Sequence, residues 1–167
     1  EITFTLSVAD LDALFGSSVV NAGSLTLEVT TEDELGNTSI MPFELDFEFD
    51  TIAPAAPTAA DLVAGSDSGT SDTDNLTNET TPTFTFTAEA NSTVTIFSDV
   101  DGTLGTATAD GSGNVSFTVP TGLSEGTHLI TSKATDAAGN QGAASTALTI
   151  EIDTIDPADV TGIMQTN

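Results

Sequence analysis

Slid along itself by 103 residues, the chain matches without a gap over residues 23–54 and 126–157, and ten of those 32 positions are identical. The identities include Asp33/Asp136, Gly36/Gly139, Asn37/Asn140, Leu45/Leu148, Glu48/Glu151, Asp50/Asp153 and Pro54/Pro157, so they gather at turns and at the end of the matched stretch. Farther upstream, Ile2-Thr3-Phe4-Thr5-Leu6 pairs with Val115-Ser116-Phe117-Thr118-Val119 at an offset of 113, which leaves a longer loop, 7–22, in the first copy. A period near one hundred residues implies domain-sized units in tandem rather than a small-repeat solenoid. The expected organisation is the last three strands of one repeat in 1–52, a complete repeat in 53–157, and the start of a third in 158–167. Thr51-Ile52-Ala53-Pro54 and Thr154-Ile155-Asp156-Pro157 are then short linkers whose prolines limit backbone freedom, making a semi-rigid series.

Within 53–157 the hydrophobic period is two, the mark of half-buried strands. Phe84 and Phe86 alternate with Thr, as do Phe117 and Val119, and Leu148, Ile150 and Ile152 alternate with polar residues. Seven strands are expected: A near 59–63, B 83–87, C 93–98, D 104–108, E 114–119, F 127–135 and G 145–153. Asp101-Gly102 and Asp110-Gly111-Ser112-Gly113-Asn114 supply turn chemistry between them. The prediction is an all-β chain of antiparallel Greek-key β-sandwich units. The nine Phe read as core, and only 8–15, in the longer loop, hints at a helical period.

Charge narrows the partners. Twenty-six Asp and Glu stand against one basic residue, Lys133, for a formal net charge of −25. Such a surface repels nucleic acid and anionic membranes, and repels itself on compaction, so divalent cations are the expected neutralisers. No run of residues is long and apolar enough for direct membrane insertion. With no cysteine, disulfides are excluded as staples.

The run Asp67-Ser-Gly-Thr-Ser-Asp72-Thr-Asp74-Asn75-Leu-Thr-Asn78-Glu-Thr-Thr-Pro82-Thr-Phe84 is followed by Thr87-Ala88-Glu89-Ala90-Asn91-Ser92-Thr93-Val94, Asp110-Gly-Ser-Gly-Asn114, Ala134-Thr-Asp136-Ala-Ala-Gly139-Asn140 and Asp153-Thr-Ile-Asp-Pro157. In that order the set resembles the bacterial immunoglobulin-like repeats of giant biofilm-associated and RTX-type adhesins. The resemblance covers 53–157; the first copy departs from it at Thr31-Glu32-Asp33-Glu34-Leu35-Gly36-Asn37 and in its long loop. It implies type I secretion, an extracellular place on the bacterial cell surface, and a spacing role in which many copies project an adhesive tip. It also implies Ca²⁺ at the junctions.

Hard cations take several oxygen ligands from loops that wrap them. Sandwich topology places the B–C, D–E and F–G loops at one pole, gathering Glu89, Asp110, Asp136 and Asn140 toward the linker residue Asp50. The opposite pole gathers Asp67, Asp72, Asp74, Asn75, Asp99 and Asp101 with Asp153 and Asp156. The expected Ca²⁺ ligands are therefore Asp50, Glu89, Asp136, Asn140, Asp153, Asp67, Asp72, Asp74 and Asn75. Turn capping competes for each of them, because Asp and Asn side chains bond the local backbone in turns. Asp72, Asp74 and Asn75 lack the spacing and closing Glu of an EF-hand loop. His128, the only histidine, is expected to be solvated or half-buried, and no nucleophile, base and oxyanion donor assemble, so catalysis is not expected. The expected partners are neighbouring repeats of the same chain, and other copies of itself if a half sandwich is completed by strand exchange. The alternatives are a ligand-binding role for loop 7–22 and a filament or surface-layer subunit completed by such strand exchange.

Overall fold

The computed structural model describes residues 22–29, 31–38 and 43–157. The strand expected at 2–6, most of loop 7–22 with its helical hint, and 158–167 lie outside the described residues. The chain divides into two compact units: one holds residues up to Ala53 with Ala138–Asn140, and the other holds Pro54–Ala137 and the residues from Gln141 on.

The described strands of the first unit are β1 (Ala22–Val29) and β2 (Phe43–Asp50), an antiparallel pair running from Ala22↔Asp50 to Val29↔Phe43. Between them a bridge joins Glu32 to Thr38 around a turn in which Gly36 has φ +82°.

The second unit holds β3 (Asp61–Leu62), β4 (Leu76–Thr77), β5 (Thr83–Thr87), β6 (Thr93–Ser98), β7 (Gly102–Thr108), β8 (Asn114–Thr118), β9 (Gly126–Thr135) and β10 (Leu148–Ile152). They form a three-stranded sheet, β3-β5-β8, and a five-stranded sheet, β4-β10-β9-β6-β7. Alternation builds each inner face. Phe84, Phe86, Val115 and Phe117 are buried from one sheet, and Val94, Ile96, Ile130, Ala134, Ile150 and Ile152 from the other. All ten join a single core cluster, so the two sheets pack as a sandwich. The fold is all-β and immunoglobulin-like.

The strand expected as D is β7, which pairs with β6 in the five-stranded sheet, because the tight connection at 99–101 makes the two a hairpin and hence neighbours in one sheet. The structure departs from the sequence reading in two places. Strand A is split: β3 pairs antiparallel with β5, and the chain then crosses to the other sheet, where β4 pairs parallel with β10. Two residues carry no readable period, so β4 escaped detection. Phe97 is half-buried on the outer face of β6, not core.

The hairpins of the two units share one register. Gly23↔Phe49 through Leu27↔Leu45 in the first becomes Gly126↔Ile152 through Ile130↔Leu148 in the second, each position shifted by 103. The bridge Glu32↔Thr38 becomes Thr135↔Gln141, and Gly36 becomes Gly139, with φ +94°.

Candidate functional site

One turn recurs along the chain. At 33–37 and 110–114 the sequence is Asp-x-x-Gly-Asn, and the hydrogen bonds are the same in both. Asp33 Oδ1 accepts the amides of Leu35 and Asn37, each at 2.9 Å, and Asp33 Oδ2 accepts from Asn37 Nδ2 at 2.8 Å. Asp110 Oδ1 accepts the amides of Ser112 and Asn114, each at 2.8 Å, and Asp110 Oδ2 accepts from Asn114 Nδ2 at 3.1 Å. The Asn side chain, and next the Asn amide, hold both carboxyls below the usual carboxylate range. Capping therefore accounts for Asp110. Asp136 and Asn140 occupy a third copy of the pattern, with Gly139 at the left-handed position. In the first unit, Asn140 Nδ2 donates to the Asp50 carbonyl at 3.0 Å. Asp136 is half-buried.

The two linker aspartates also match each other. Asp50 Oδ1 accepts the Ile52 amide at 2.9 Å, and Asp153 Oδ1 accepts the Ile155 amide at 3.1 Å. Both are exposed and each caps the turn that opens its linker.

In the second unit the loops sort by pole as the topology demands. Glu89, exposed in the β5–β6 loop, lies at the end where Ala88 N donates to Gly113 O at 2.9 Å and Asn91 N to Ala109 O at 3.2 Å. At the other end Asp101 takes the Ser124 hydroxyl at 2.6 Å and the Ser124 amide at 3.0 Å, which hold its carboxyl below the usual range, the hydroxyl first. Asp99 Oδ1 accepts the Leu129 amide at 2.7 Å. Glu125, which the sequence reading missed, accepts the amide and hydroxyl of Thr154 at 3.1 and 2.8 Å.

The segment from β3 to β4 carries Asp67, Asp72, Asp74 and Asn75. Asp72 and Asp74 are exposed, and Asp74 Oδ1 accepts the Leu76 amide at 3.2 Å. Asn75 adopts φ +60°, and its amide donates to Asp67 Oδ2 at 3.1 Å. Asp67 is only 5% exposed, and its Oδ1 has no hydrogen-bond partner. Among the described residues, no three Asp, Glu or His side chains come together as a metal-binding group. The expected ligands are thus distributed over several loops, and any ion among them must draw on carbonyl, amide and hydroxyl oxygens as well.

His128 corrects the sequence reading. It is fully buried, because it shares the inward parity of Ile130, Ser132 and Ala134 on β9. Ser98 Oγ lies 2.9 Å from its Nδ1, and the Ser124 carbonyl lies 2.9 Å from its Nε2. The ring closes off the core and offers no open nitrogen to a substrate.

A sequence profile of the bacterial Ig-like domain family matches residues 53–154. The chain belongs to that family. Bacterial Ig-like domains of this kind are typically non-enzymatic. A solved structure described as "Biofilm associated protein - BSP domain" matches over 81% of this chain and 20% of that one, at 22% identity and a TM-score of 0.42. The chain thus spans about a fifth of the length of that solved relative. No curated protein matches the chain. Among the described residues, no helix is long and apolar enough to cross a membrane.

Proposed function

We propose that this bacterial Ig-like chain is a structural extender of a bacterial cell-surface adhesin, a run of repeats that carries an adhesive tip outward. The repeats stand in the extracellular space, and Ca²⁺ stiffens their junctions. The observation that carries the reading is the shared register: two hairpins 103 residues apart with the same cross-strand partners, the same bridge and the same left-handed glycine. A chain that repeats one structural unit in series is suited to length, since each copy adds a fixed increment. The partners of each repeat are its neighbours in the chain. The Asn140–Asp50 bond and the 26 carboxylates of a chain with one Lys supply the oxygens and the charge that Ca²⁺ would take up.

Small-angle scattering of the full chain with millimolar CaCl₂, and again after chelation, tests the reading. The expected outcome is a larger maximum dimension and a narrower ensemble with Ca²⁺. Identical profiles in the two buffers would remove calcium stiffening, leaving the linker prolines as the source of rigidity.

A further inference from the structure

We propose that the outer face of the five-stranded sheet pairs with the same face of a second copy of this chain, the two lying antiparallel about a twofold axis.

The face is set apart by its charge. Across β4, β10, β9, β6 and β7 there is one carboxylate, Glu151, and one lysine, Lys133. The other described acids of the second unit stand on loops and linkers or, for Asp61, on the opposite sheet. Alternation turns Phe97, Leu129, Lys133 and Glu151 outward, each flanked by buried neighbours. Leu129 is 42% exposed and Phe97 half-buried, and threonines fill most of the remaining outward positions. Among the described residues Lys133 makes no ion pair, although the chain holds 26 carboxylates. The fold does not by itself demand such a face. By the 103-residue register, Thr131 and Thr149 stand where the first copy has Glu28 and Asp46.

The strand register makes the face complementary to itself. Lys133 lies beside Thr95, and Glu151 beside Thr127, so the two charges are separated by about 20 Å of strand. Leu129 and Thr131 lie midway, with Phe97 beside Thr131. A twofold axis in the interface plane, running across the strands at this midpoint, exchanges the two ends. Lys133 of each copy then meets Glu151 of the other, and Phe97 of each meets Leu129 of the other. Such reciprocal contacts are what an isologous pair requires. An anionic glycan would satisfy Lys133 but not Glu151, and would meet the repulsion of the whole chain. A second copy satisfies both charges. The face spans roughly 20 Å by 20 Å, about 400 Å² per copy, against about 800 Å² per partner in a standard stable complex. One pair of faces is therefore weak, and pairs in series would add by avidity.

Sedimentation equilibrium of the full chain in EGTA and 0.15 M NaCl tests the pairing. The chelator removes bridging by Ca²⁺, and the salt shortens the Debye length to about 8 Å, so bulk repulsion does not mask a local contact. The wild type is expected to move from monomer toward dimer mass as its concentration rises. Lys133→Glu and Glu151→Lys each set like charges opposite one another, and each should weaken self-association at least about tenfold. Mixed together, the two variants should restore a dimer, because a face with two carboxylates meets a face with two ammonium groups. Glu151→Lys discriminates between causes. It lowers the net charge, so association governed by overall repulsion would strengthen, whereas paired faces require it to weaken. Should either variant fail to fold, amide spectra of the wild type at rising concentration decide instead, with shifts expected at 97, 129–133 and 149–151. A wild type that stays monomeric at every concentration, a dimer indifferent to both substitutions, or shifts confined to other residues would overturn the proposal.

Discussion

Ser98 Oγ accepts the amides of Val100 and Asp101, each at 3.2 Å, so both of its lone pairs are engaged and its proton goes to His128 Nδ1. The other ring nitrogen then carries the hydrogen that the Ser124 carbonyl accepts. Both ring nitrogens of His128 are thus engaged, Nδ1 by Ser98 and Nε2 by the Ser124 carbonyl, and Asp101 Oδ2 lies 3.5 Å from Nδ1. His128→Leu fills the volume but strands the Ser98 hydroxyl and the Ser124 carbonyl. It should cost about 2 to 4 kcal/mol in urea unfolding, where a merely space-filling ring would cost under about 1.5. The histidine's depth was readable from its parity with Ile130 and Ala134; its partners were not, because they come from two other segments. A pH prediction also belongs to single residues. Asp33, Glu79, Asp101 and Asp110 all have carboxyls lowered by hydrogen bonds, each chiefly from a side chain: Asn37, Thr81, Ser124 and Asn114 in turn. A folded pKa below the unfolded one means stability that is present above about pH 4 and is lost as pH falls through the folded value. Ordinary carboxylates titrate first and relieve the repulsion of −25 charges. Unfolding midpoints should thus rise from pH 7 toward about 4 and then fall. Asp101→Asn should lower stability at neutral pH and flatten the acid limb, so that the two profiles converge at low pH. A profile that falls monotonically from pH 7 would contradict this balance.

The Asp-x-x-Gly-Asn turn shows what an element demands that its single residues do not reveal. Gly113 has φ +86°, and a Cβ there would stand 2.5 Å from the Ala88 carbonyl of the facing loop. Both the left-handed backbone and the close approach exclude a side chain. Gly111, two residues earlier in the same turn, faces open space. Gly113→Ala should therefore cost about 2 to 3 kcal/mol, and Gly111→Ala under about 0.5, in paired denaturation curves. Equal losses at the two sites would put the turn's demand in composition and not in geometry. The strands themselves were legible because alternation is local: Thr-Phe-Thr-Phe-Thr marks β5 to the residue. What escaped the sequence was pairing. β4 is two residues held by a parallel ladder to β10, 75 positions downstream at Leu76↔Glu151, and nothing local encodes it. The side that β7 takes follows from its hairpin with β6, and loop length was the signal to use there. The expected ligands could not be told from turn caps for a related reason: Asp in a turn looks the same in sequence whether it caps an amide, as Asp110 does, or has an oxygen left without a hydrogen bond, as Asp67 does.

At the scale of the whole molecule the decisive question is how 26 carboxylates and one lysine coexist in a folded chain. Two answers make different demands on salt. If repulsion is diffuse, any electrolyte stabilises the fold by screening, and the effect grows as the Debye length falls from about 30 Å at 0.01 M to about 10 Å at 0.1 M. If ions occupy sites, Ca²⁺ acts by mass action, adding about 2.7 kcal/mol once its free concentration is a hundred times the dissociation constant. The two are separable because 1 mM CaCl₂ adds only about 3 mM of ionic strength, too little to shorten the Debye length usefully. Melting of the full chain should therefore be compared in chelator, in 1 mM CaCl₂, and in NaCl of the same ionic strength. Site binding predicts a clear rise in melting temperature with CaCl₂ and none with the matched NaCl. In a background of 0.15 M NaCl the Ca²⁺ increment should persist, reduced in part because salt weakens attraction to exposed carboxylates. Screening alone predicts that the matched salts coincide and that NaCl at 0.15 M reproduces whatever CaCl₂ achieves. Coincident curves would leave the junction aspartates and Asp67 as turn caps in a chain stabilised by its counter-ion atmosphere, with the Ig-like fold itself untouched.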